Sequence, residues 1–233
     1  MKCPKCQSTK IRKYGFKNQK QRYQCTECGR IFQSNYTGRG YSDDVKQICL
    51  KMYLNGLGFR AIERITGIHH TTIINWVSES GQELPLDIEE DSPILAELDE
   101  LQTYIGKRNN KIWVWTAINH DLPGILAIQI GDRSGKTFEK LWKRIKAWNS
   151  RRYFTDGYCV YANYIAPQNH RVLPKVLLTR VEGENTRLRH YLARLKRQTL
   201  CYSKSASMLR YSIRLLMHYL RYKTIPLPIC LNP

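Results

Sequence analysis

The sequence lacks long hydrophobic runs. No apolar stretch approaches the roughly 20 residues that a membrane-spanning helix needs, and the first residues lack the apolar segment of a secretory signal peptide. The chain also has no internal repeat and no low-complexity tract. We therefore expect a protein with no membrane partner.

Acidic residues are scarce in the sequence. The 233 residues include 19 Asp and Glu against 38 Lys and Arg, which gives a formal net charge of +19. A basic excess on this scale indicates a polyanionic partner, and nucleic acid is the leading candidate. The length suits one compact core with a smaller attached module.

The 8 cysteines do not follow a disulfide pattern. Four of them form two Cys-x-x-Cys pairs near the start, whereas Cys49, Cys159, Cys201 and Cys230 are scattered without a recognisable spacing. This usage fits a reducing compartment better than an oxidising one.

The two cysteine pairs predict a metal site. They consist of Cys3, Cys6, Cys25 and Cys28, and their spacing lets four thiolates converge on one tetrahedral Zn²⁺, as in a zinc ribbon. Residues 1–40 have no continuous apolar run, so structural Zn²⁺ would replace a hydrophobic core. The alternatives are a redox dithiol, which requires only one such pair, and a chance pairing of the cysteines.

Residues 41–80 are predicted to form a helix-turn-helix DNA-binding domain. Apolar residues recur at helical spacing over three short segments, and Gly67 supplies the turn before the last one. Any two amphipathic helices around a glycine can mimic this pattern, which is the alternative interpretation. Five residues early on the last helix are candidates for contact with base edges in the major groove: His69, His70, Thr71, Thr72 and Asn75.

The two adjacent histidines of this segment have a second interpretation. His69 and His70 could bind a metal ion, but adjacent histidines on a helix point in different directions and no cysteine is near them. We therefore favour groove contact or plain solvation for both.

The acidic, proline-bounded segment 81–93 is predicted to be an exposed linker, and residues 94–233 form the next domain. Its first two strands are expected to pair with each other. The predicted strands are Ile94–Leu98, Lys111–Asn119, Gly124–Ile130 and Arg152–Thr155, with the apolar stretch Val176–Leu178 taken as a further strand; the predicted helices are Ser134–Trp148, Val181–Arg197 and Ser205–Tyr222.

Three acids come from three different elements of this region. Asp99 follows the first strand, Asp156 ends the strand Arg152–Thr155, and Glu182 opens a basic helix. Strand ends and a helix start can bring carboxylates together, and such carboxylates repel each other unless cations lie between them. Mg²⁺ is the suitable cation, and two ions about 4 Å apart would serve phosphodiester transfer. Turn formation or helix capping is the alternative role for such an aspartate.

Basic side chains follow Glu182 along the last two predicted helices. Beside a carboxylate–metal site they would hold DNA phosphates in a salt-sensitive way. Arg187 and Lys204 are the candidates for this contact. The alternative is a charged face that contacts only solvent.

Several separate motifs resemble those of transposases of the insertion sequence one family of bacterial mobile elements, over nearly the whole chain. In chain order they are the paired cysteines, the helix that contains Asn75–Val77, the segment Glu97–Glu100 with Ile105–Arg108 and Trp113–Trp115, the segment Thr155–Tyr158, and the block Arg180–Arg189 that leads into Arg194–Ser205. The last block is the most specific.

The resemblance implies a ribonuclease H-like α/β fold, a mixed sheet with helices, that carries a catalytic triad of Asp99, Asp156 and Glu182. Glu184 is the rival for the third acid. The implied cofactors are structural Zn²⁺ and two catalytic ions of Mg²⁺ or Mn²⁺. The implied partners are double-stranded DNA, as element ends and as target, and further copies of the chain in a homo-oligomer on DNA. The implied location is the bacterial cytoplasm, at the nucleoid.

The function that we expect is a DNA transposase, which binds the terminal inverted repeats of a mobile element and catalyses metal-dependent strand cleavage and strand transfer. A non-catalytic DNA-binding regulator, or a decayed transposase copy, is the alternative. A zinc-ribbon accessory protein of RNA processing or transcription would account for the charge and the cysteines but not for the acids.

Overall fold

The computed structural model describes residues 1–17, 19–33, 40–88 and 92–227. The chain divides into two compact units, Met1–Tyr41 and Ser42–Pro233. Parts of the predicted zinc ribbon (18 and 34–39), of the predicted linker (89–91) and of the last predicted domain (228–233, with Cys230) lie outside the described residues. The four predicted domain ranges stay predictions.

The first unit is a small antiparallel sheet. Strands β1 (Ile11–Lys17), β2 (Lys20–Cys25) and β3 (Ile31–Gln33) lie side by side in that order. Its buried core consists of Cys3, Cys25 and Phe32 alone among the described residues. So small an apolar core leaves most of the stabilisation of this unit to another source, such as a metal.

The second unit begins with three helices, α1 (Asp43–Leu54), α2 (Phe59–Thr66) and α3 (His70–Gln82). The Ser42 hydroxyl caps α1 by accepting a hydrogen bond from the Val45 amide. Gly67 ends α2 in the left-handed conformation with a φ of 71°, which glycine adopts without strain. The sequence predicted three short helices here, and three are present.

A five-stranded mixed sheet follows, with the strands in the order β6-β5-β4-β7-β8. The strands are β4 (Leu95–Ile105), β5 (Lys107–Asn119), β6 (Ile125–Gly131), β7 (Arg152–Thr155) and β8 (His170–Val172). The neighbours β4, β5 and β6 run antiparallel, while β7 pairs parallel with both β4 and β8. The predicted pairing of the first two strands is confirmed.

Helices cover both faces of the sheet because its strands bury alternate side chains on opposite sides. The covering helices are α4 (Gly135–Ile145), α5 (Cys159–Ala162), α6 (Thr179–Tyr191) and α7 (Ala206–Tyr222). On one face, Leu98 and Trp115 pack with α4 and α5. On the other, Leu101 and Val114 share a core with α6, α7 and the three helices α1 to α3.

Two local predictions were wrong. The stretch Val176–Leu178 is not a strand, because Lys175–Leu177 forms a 3-10 helix directly after Pro174 and leaves Val176 exposed. The edge strand is β8, which the sequence pattern did not predict. The helix predicted to reach Arg197 ends at Tyr191, because Leu192 takes an extended backbone and is fully buried.

The first residues of the predicted linker are packed rather than exposed. Leu84 is buried, the Ile88 amide donates a hydrogen bond of 2.7 Å to the Leu126 carbonyl, and Asp87 forms an ion pair with Arg144. Paired backbone groups and apolar contacts thus fix residues 84–88 along the edge of β6. No helix in the described part of the chain has the length and apolar character to cross a membrane.

Candidate functional site

Four cysteine sulfurs converge in the first unit, as the sequence predicted. The Sγ atoms of Cys3 and Cys28 lie 3.5 Å apart, those of Cys6 and Cys25 lie 3.6 Å apart, and all four lie within 4.8 Å of one another. Tetrahedral Zn²⁺ with Zn–S bonds of about 2.3 Å would place its sulfurs about 3.8 Å apart. The four cysteines could therefore hold zinc, and the cluster is compatible with a zinc ribbon.

The environment of the cluster favours thiolates at some of these positions. Burial opposes the charged form of Cys3, but amide donors at Cys6 and Lys5 outweigh it and lower the pKa of Cys3 to about 6. Amide donors at Cys28 and Glu27 likewise lower the pKa of Cys25. Thiolates are the form of cysteine that binds a metal.

Two of the three predicted acids lie at neighbouring positions of the sheet. In the parallel pair of β4 and β7, Glu97 aligns with Phe154. Two further residues along each strand lead to Asp99 and Asp156. Both carboxylates are half-buried, and the charge of Asp156 acts on Asp99.

Asp99 is held by its surroundings in a defined orientation. Its Oδ2 accepts a hydrogen bond of 2.8 Å from the Asn185 side-chain amide. Its carbonyl accepts another from the Thr116 hydroxyl, which also lies 3.3 Å from Asn185 Oδ1. Burial and the charge of Asp156 raise the pKa of Asp99, so the charged form is costly until a cation approaches.

Asp156 begins the loop that follows β7. Its Oδ1 accepts a hydrogen bond of 3.1 Å from the Tyr158 amide, and its Oδ2 lies 3.9 Å from Lys175 Nζ. Gly157, between Asp156 and Tyr158 in the chain, has a φ of 86°, a value that favours glycine. The turn therefore fixes the Asp156 carboxylate at the end of the strand, and one of its oxygens faces the Lys175 ammonium group.

The third predicted acid lies on the helix that contacts Asp99. Glu182 is exposed and precedes Asn185 by three residues on α6, which places the two side chains about 60° apart on one helix face. Glu184 points elsewhere: it is buried, accepts a 3.0 Å hydrogen bond from the Gly124 amide and pairs with Arg187. No group of three carboxylates in the described residues has its oxygens within 4.8 Å of one another, so Asp99, Asp156 and Glu182 do not form a closed cluster.

A buried carboxylate joins α6 to β4. Glu97 is fully buried, accepts a 2.8 Å hydrogen bond from the Val181 amide in the first turn of α6, and pairs with His120 at 2.6 Å. An anion at a helix N-terminus satisfies a free amide and complements the helix dipole. Glu97 thus fixes the start of the helix that carries Glu182 and Asn185.

A second buried carboxylate lies on the opposite face of β4. Glu100 accepts hydrogen bonds from Tyr161, at 2.7 Å, and from Arg133, and burial raises its pKa. The Arg133 guanidinium lies over the rings of Trp113 and Tyr158. Because Tyr158 also donates to the Arg133 carbonyl at 2.8 Å, this network anchors the loop that carries Asp156.

The candidate base contacts lie at the start of α3. His69, Thr71 and Asn75 are exposed, whereas His70 and Thr72 are half-buried. His69 precedes the helix as its cap residue and folds back over His70, so that the two ring centroids are 4.3 Å apart. Adjacent histidines therefore do not diverge here, because only one of them lies inside the helix.

The two residues predicted to contact DNA phosphates lie away from Asp99 and Asp156. Arg187 is half-buried, pairs with Glu184 and lies about 200° around α6 from Asn185. Lys204 is exposed and follows Ser203, which bridges to Ile105 at the far end of β4. Six residues of strand separate Ile105 from Asp99, a distance of roughly 20 Å.

Asn185 and Glu97 were not predicted as functional, and Arg189 was predicted only as one of the basic side chains of its helix that would hold DNA phosphates. Arg189 follows Asn185 by four residues on the same face of α6, and its charge interacts with Asp99. Asn185 donates a hydrogen bond to Asp99, and Glu97 accepts one from the first turn of α6. The signal that could have pointed to Asn185 and Arg189 is their spacing of three and seven residues from Glu182, which places all three on one helix face.

The protein thus has two candidate metal sites. One lies at the neighbouring half-buried carboxylates of the mixed α/β unit, and the other is the zinc site at the four convergent cysteines of the first unit. The family model for the IS1 transposase matches residues 93–224, which is more than half of the chain. The chain therefore belongs to the IS1 transposase family. Transposition of DNA, which entails DNA cleavage, is the general activity of that family.

Individual relatives agree with this assignment. The insertion element IS1 protein InsB of Shigella flexneri is 31% identical over 130 residues, which cover 56% of this chain and 96% of that protein. The iso-IS1n protein InsB of Shigella dysenteriae is 29% identical over 115 residues, 49% of this chain and 87% of that protein. The IS1 1 protein InsB of Escherichia coli strain K12 is 29% identical over 130 residues, 56% and 75% of the two chains.

Proposed function

We propose that this transposase uses Asp99, Asp156 and Glu182 to cleave and join DNA at the ends of a mobile element. The observation that carries the proposal is the pair of half-buried aspartates at neighbouring positions of two parallel strands, with the pKa of one raised by burial and by the other. Such a pair of carboxylates binds a cation more favourably than either carboxylate would alone.

A ribonuclease H-like catalytic fold is part of the proposal. The sheet order β6-β5-β4-β7-β8, with an antiparallel meander of three strands joined to two parallel strands, supports it. The site then lies where β4, β7 and α6 come together. Residues 94–233 would form this catalytic domain, after a zinc ribbon at 1–40, a helix-turn-helix at 41–80 and a linker at 81–93.

Glu182 is the third acid of our proposal in preference to Glu184. Glu182 shares a helix face with Asn185, which donates to Asp99, and it is exposed. Glu184 already accepts hydrogen bonds from the Gly124 amide and the Arg187 guanidinium. Movement of α6 toward the sheet would bring Glu182 to the aspartates, and a cation between the three carboxylates would favour that movement.

The three carboxylates suit hard divalent cations, Mg²⁺ or Mn²⁺. Two such ions would activate the attacking water or 3′-hydroxyl and stabilise the leaving oxygen. The chain itself would orient Asp99 through Asn185 and Asp156 through the Tyr158 amide. Lys175 and Arg189 add positive charge beside the acids, where a DNA phosphate would otherwise be repelled.

DNA recognition is assigned in the proposal to the first 80 residues. Thr71 and Asn75 are exposed early on α3, beside His69, His70 and Thr72, and such positions on a second helix face base edges in the major groove. Arg187 and Lys204, being distant from the acids, would contact flanking backbone rather than the reacting phosphate. Cleavage at two element ends calls for at least two copies of the chain on DNA.

Cleavage and strand transfer on DNA with the element's own ends test the proposal. We expect wild-type protein to act with Mg²⁺ or Mn²⁺, and Asp156→Asn to bind the same DNA without acting. Asp121→Asn is the matched control, because Asp121 is exposed in the loop between β5 and β6, and it should retain activity.

Two other outcomes would change the assignment. Activity of Asp156→Asn equal to that of wild type would remove this aspartate from the catalytic site. Equal DNA binding by all three proteins, with no cleavage in either metal, would make the chain a DNA-binding regulator or a decayed copy.

A further inference from the structure

Two histidines and a glutamate converge at the turn between α2 and α3. The carboxylate of Glu63 on α2, the ring of His69 before α3 and the ring of His70 within it each offer one donor atom, and these atoms lie within 4.8 Å of one another. Apart from the four cysteines, no other group of three donors this close occurs in the described residues.

The separations between the donor atoms fit a small tetrahedral ion. His70 Nδ1 lies 2.9 Å from Glu63 Oε2, and His69 Nε2 lies 3.9 Å from Glu63 Oε1. Zinc with bonds of about 2.0–2.1 Å to nitrogen and oxygen would place its ligands about 3.3 Å apart. The two separations, each to a different oxygen of the Glu63 carboxylate, lie on either side of that value.

The surroundings orient the donors toward one point. The Thr71 hydroxyl lies 2.7 Å from Nδ1 of His69, which leaves Nε2 on the side of Glu63. The Thr71 amide lies 3.4 Å from the same Nδ1. When Nδ1 instead donates to the Thr71 hydroxyl, the ring has the arrangement usual for a histidine that binds a metal through Nε2.

From this geometry we infer that Glu63, His69 and His70 form a second transition-metal site, which binds Zn²⁺ or a similar divalent ion. Two imidazoles and one carboxylate suit Zn²⁺, Cu²⁺ or Ni²⁺ better than Mg²⁺. The positive end of α3 disfavours a cation nearby, but the Glu63 carboxylate offsets that effect.

The ion would clasp α2 to α3 across Gly67. Glu63 lies one turn before the end of α2 and the two histidines begin α3, so a shared ion fixes the angle between the helices at the turn. His69 and His70 would then be occupied, and contact with DNA bases would fall to Thr71, Thr72 and Asn75. The inference does not depend on the proposed carboxylate chemistry.

Zinc stoichiometry of the full chain tests the site. We expect wild-type protein to bind one Zn²⁺ equivalent more than His69→Gln and Glu63→Gln, measured by competition with a chromophoric chelator. His69→Gln is the cleanest variant, since the His69 side chain is 61% exposed and its loss leaves the core intact. His190→Gln, at an exposed histidine on α6, should bind as wild type does.

Cobalt substitution gives a second readout. Ions bound to the four cysteines produce sulfur-to-cobalt charge-transfer absorption, whereas the inferred site lacks sulfur, so only weaker visible bands should disappear in His69→Gln. Zn²⁺ should also raise the melting temperature of wild type by more than that of Glu63→Gln. Equal zinc equivalents and equal cobalt spectra in wild type and both variants would overturn the inference, and the three groups would then be only a hydrogen-bonded brace of the turn.

Discussion

Two glutamates two positions apart on α6 have opposite environments. Glu182 is exposed on the side of Asn185, and Glu184 is buried on the side of Gly124. A helix rotates by about 200° over two residues, so one face can serve chemistry while the other serves packing. Sequence motifs alone treat the two as rivals, because either carboxylate satisfies the family pattern.

The first prediction separates these two roles by the same substitution. Glu182→Gln should abolish cleavage while the free energy of unfolding stays within about 0.5 kcal/mol of wild type, as for most surface changes. Glu184→Gln should lower that free energy by about 1–3 kcal/mol, because a buried amide and an arginine lose a charged acceptor, and should retain cleavage at permissive temperature. Urea denaturation and cleavage assays measure both. The reverse pattern would make Glu184 the third acid.

Asp99 supports a second prediction, on stability against pH. Burial, and then the charge of Asp156, raise the pKa of Asp99 in the folded protein. The folded state therefore holds the proton more tightly than the unfolded chain, and the contribution of Asp99 to stability falls as pH rises from about 4 through the folded pKa. Without divalent metal, Asp99→Asn should raise the melting temperature at pH 7 and change it little below about pH 4.

The same variant links stability to metal binding. Mg²⁺ or Mn²⁺ should raise the melting temperature of wild type but not that of Asp99→Asn, because a ligand that binds only the folded state stabilises it. The DNA cleavage activity of Asp99→Asn should fall by more than the roughly 10–100-fold loss that is typical when a residue outside the metal ligands is changed. A lower melting temperature of Asp99→Asn at pH 7 would show that the hydrogen bond from Asn185 outweighs the cost of the charge.

At the scale of elements, α3 and α7 are in unusually close contact. A Cβ atom on Gly81 would lie 2.6 Å from both the Cβ and the carbonyl oxygen of Tyr211, and 2.8 Å from its Cα. Backbone atoms of a packed helix cannot move away as a flexible side chain can. Gly81 therefore permits the approach of the two helices and joins the three-helix segment Asp43–Gln82 to the rest of the second unit.

The third prediction compares two helical glycines. Gly81→Ala should lower the free energy of unfolding by about 1–3 kcal/mol or more, because the added methyl group overpacks a backbone contact. Gly183→Ala is the control: a Cβ at Gly183 meets nothing within 4 Å, and alanine should stabilise α6 by about 0.5–1 kcal/mol. Thermal unfolding monitored by circular dichroism distinguishes the two signs. Equal effects would argue against the close approach.

Predictability from the sequence differed between elements. The helix Ser205–Tyr222 was predicted almost at its bounds, because long apolar periodicity determines it. The strand predicted at Lys111–Asn119 ends where β5 ends but begins four residues late, because the residues from Lys107 to Asn110 are polar and exposed. The edge strand β8 has only three residues, and two of them are exposed, so it carries no alternating pattern. Its pairing with β7 comes from tertiary context alone.

The site was predictable to the same limited extent. Asp99 and Asp156 could be proposed from their positions near strand ends, although Asp99 lies within β4 rather than after it. Asn185 carried only one signal, its three-residue spacing from Glu182, because its role depends on how α6 crosses the sheet. The pairing of His69 with His70 was missed because the helix was assumed to include both residues.

At the scale of the whole molecule, the two units have very different cores. The described core of Met1–Tyr41 has three buried apolar residues, whereas the second unit has two extensive clusters on the faces of its sheet. Ordering a backbone residue costs about 1–2 kcal/mol, and three buried side chains do not offset that cost over a sheet of this size. Cross-linking by a metal at the four clustered cysteines could supply the missing stability of the first unit.

The fourth prediction follows from this asymmetry. Chelation of zinc should let the amides of β1, β2 and β3 exchange with deuterium at once, while those of β4, β5 and β6 stay protected, because only the first unit depends on the four thiolates. Cys25→Ser should have the same effect, and Cys159→Ser, at an exposed cysteine outside the cluster, should not. Protection of β1 to β3 that survives both chelation and Cys25→Ser would mean that backbone pairing suffices without metal. Rapid exchange confined to the first unit would instead show that its fold is conditional on zinc, so that metal supply governs this part of the transposase independently of its catalytic core.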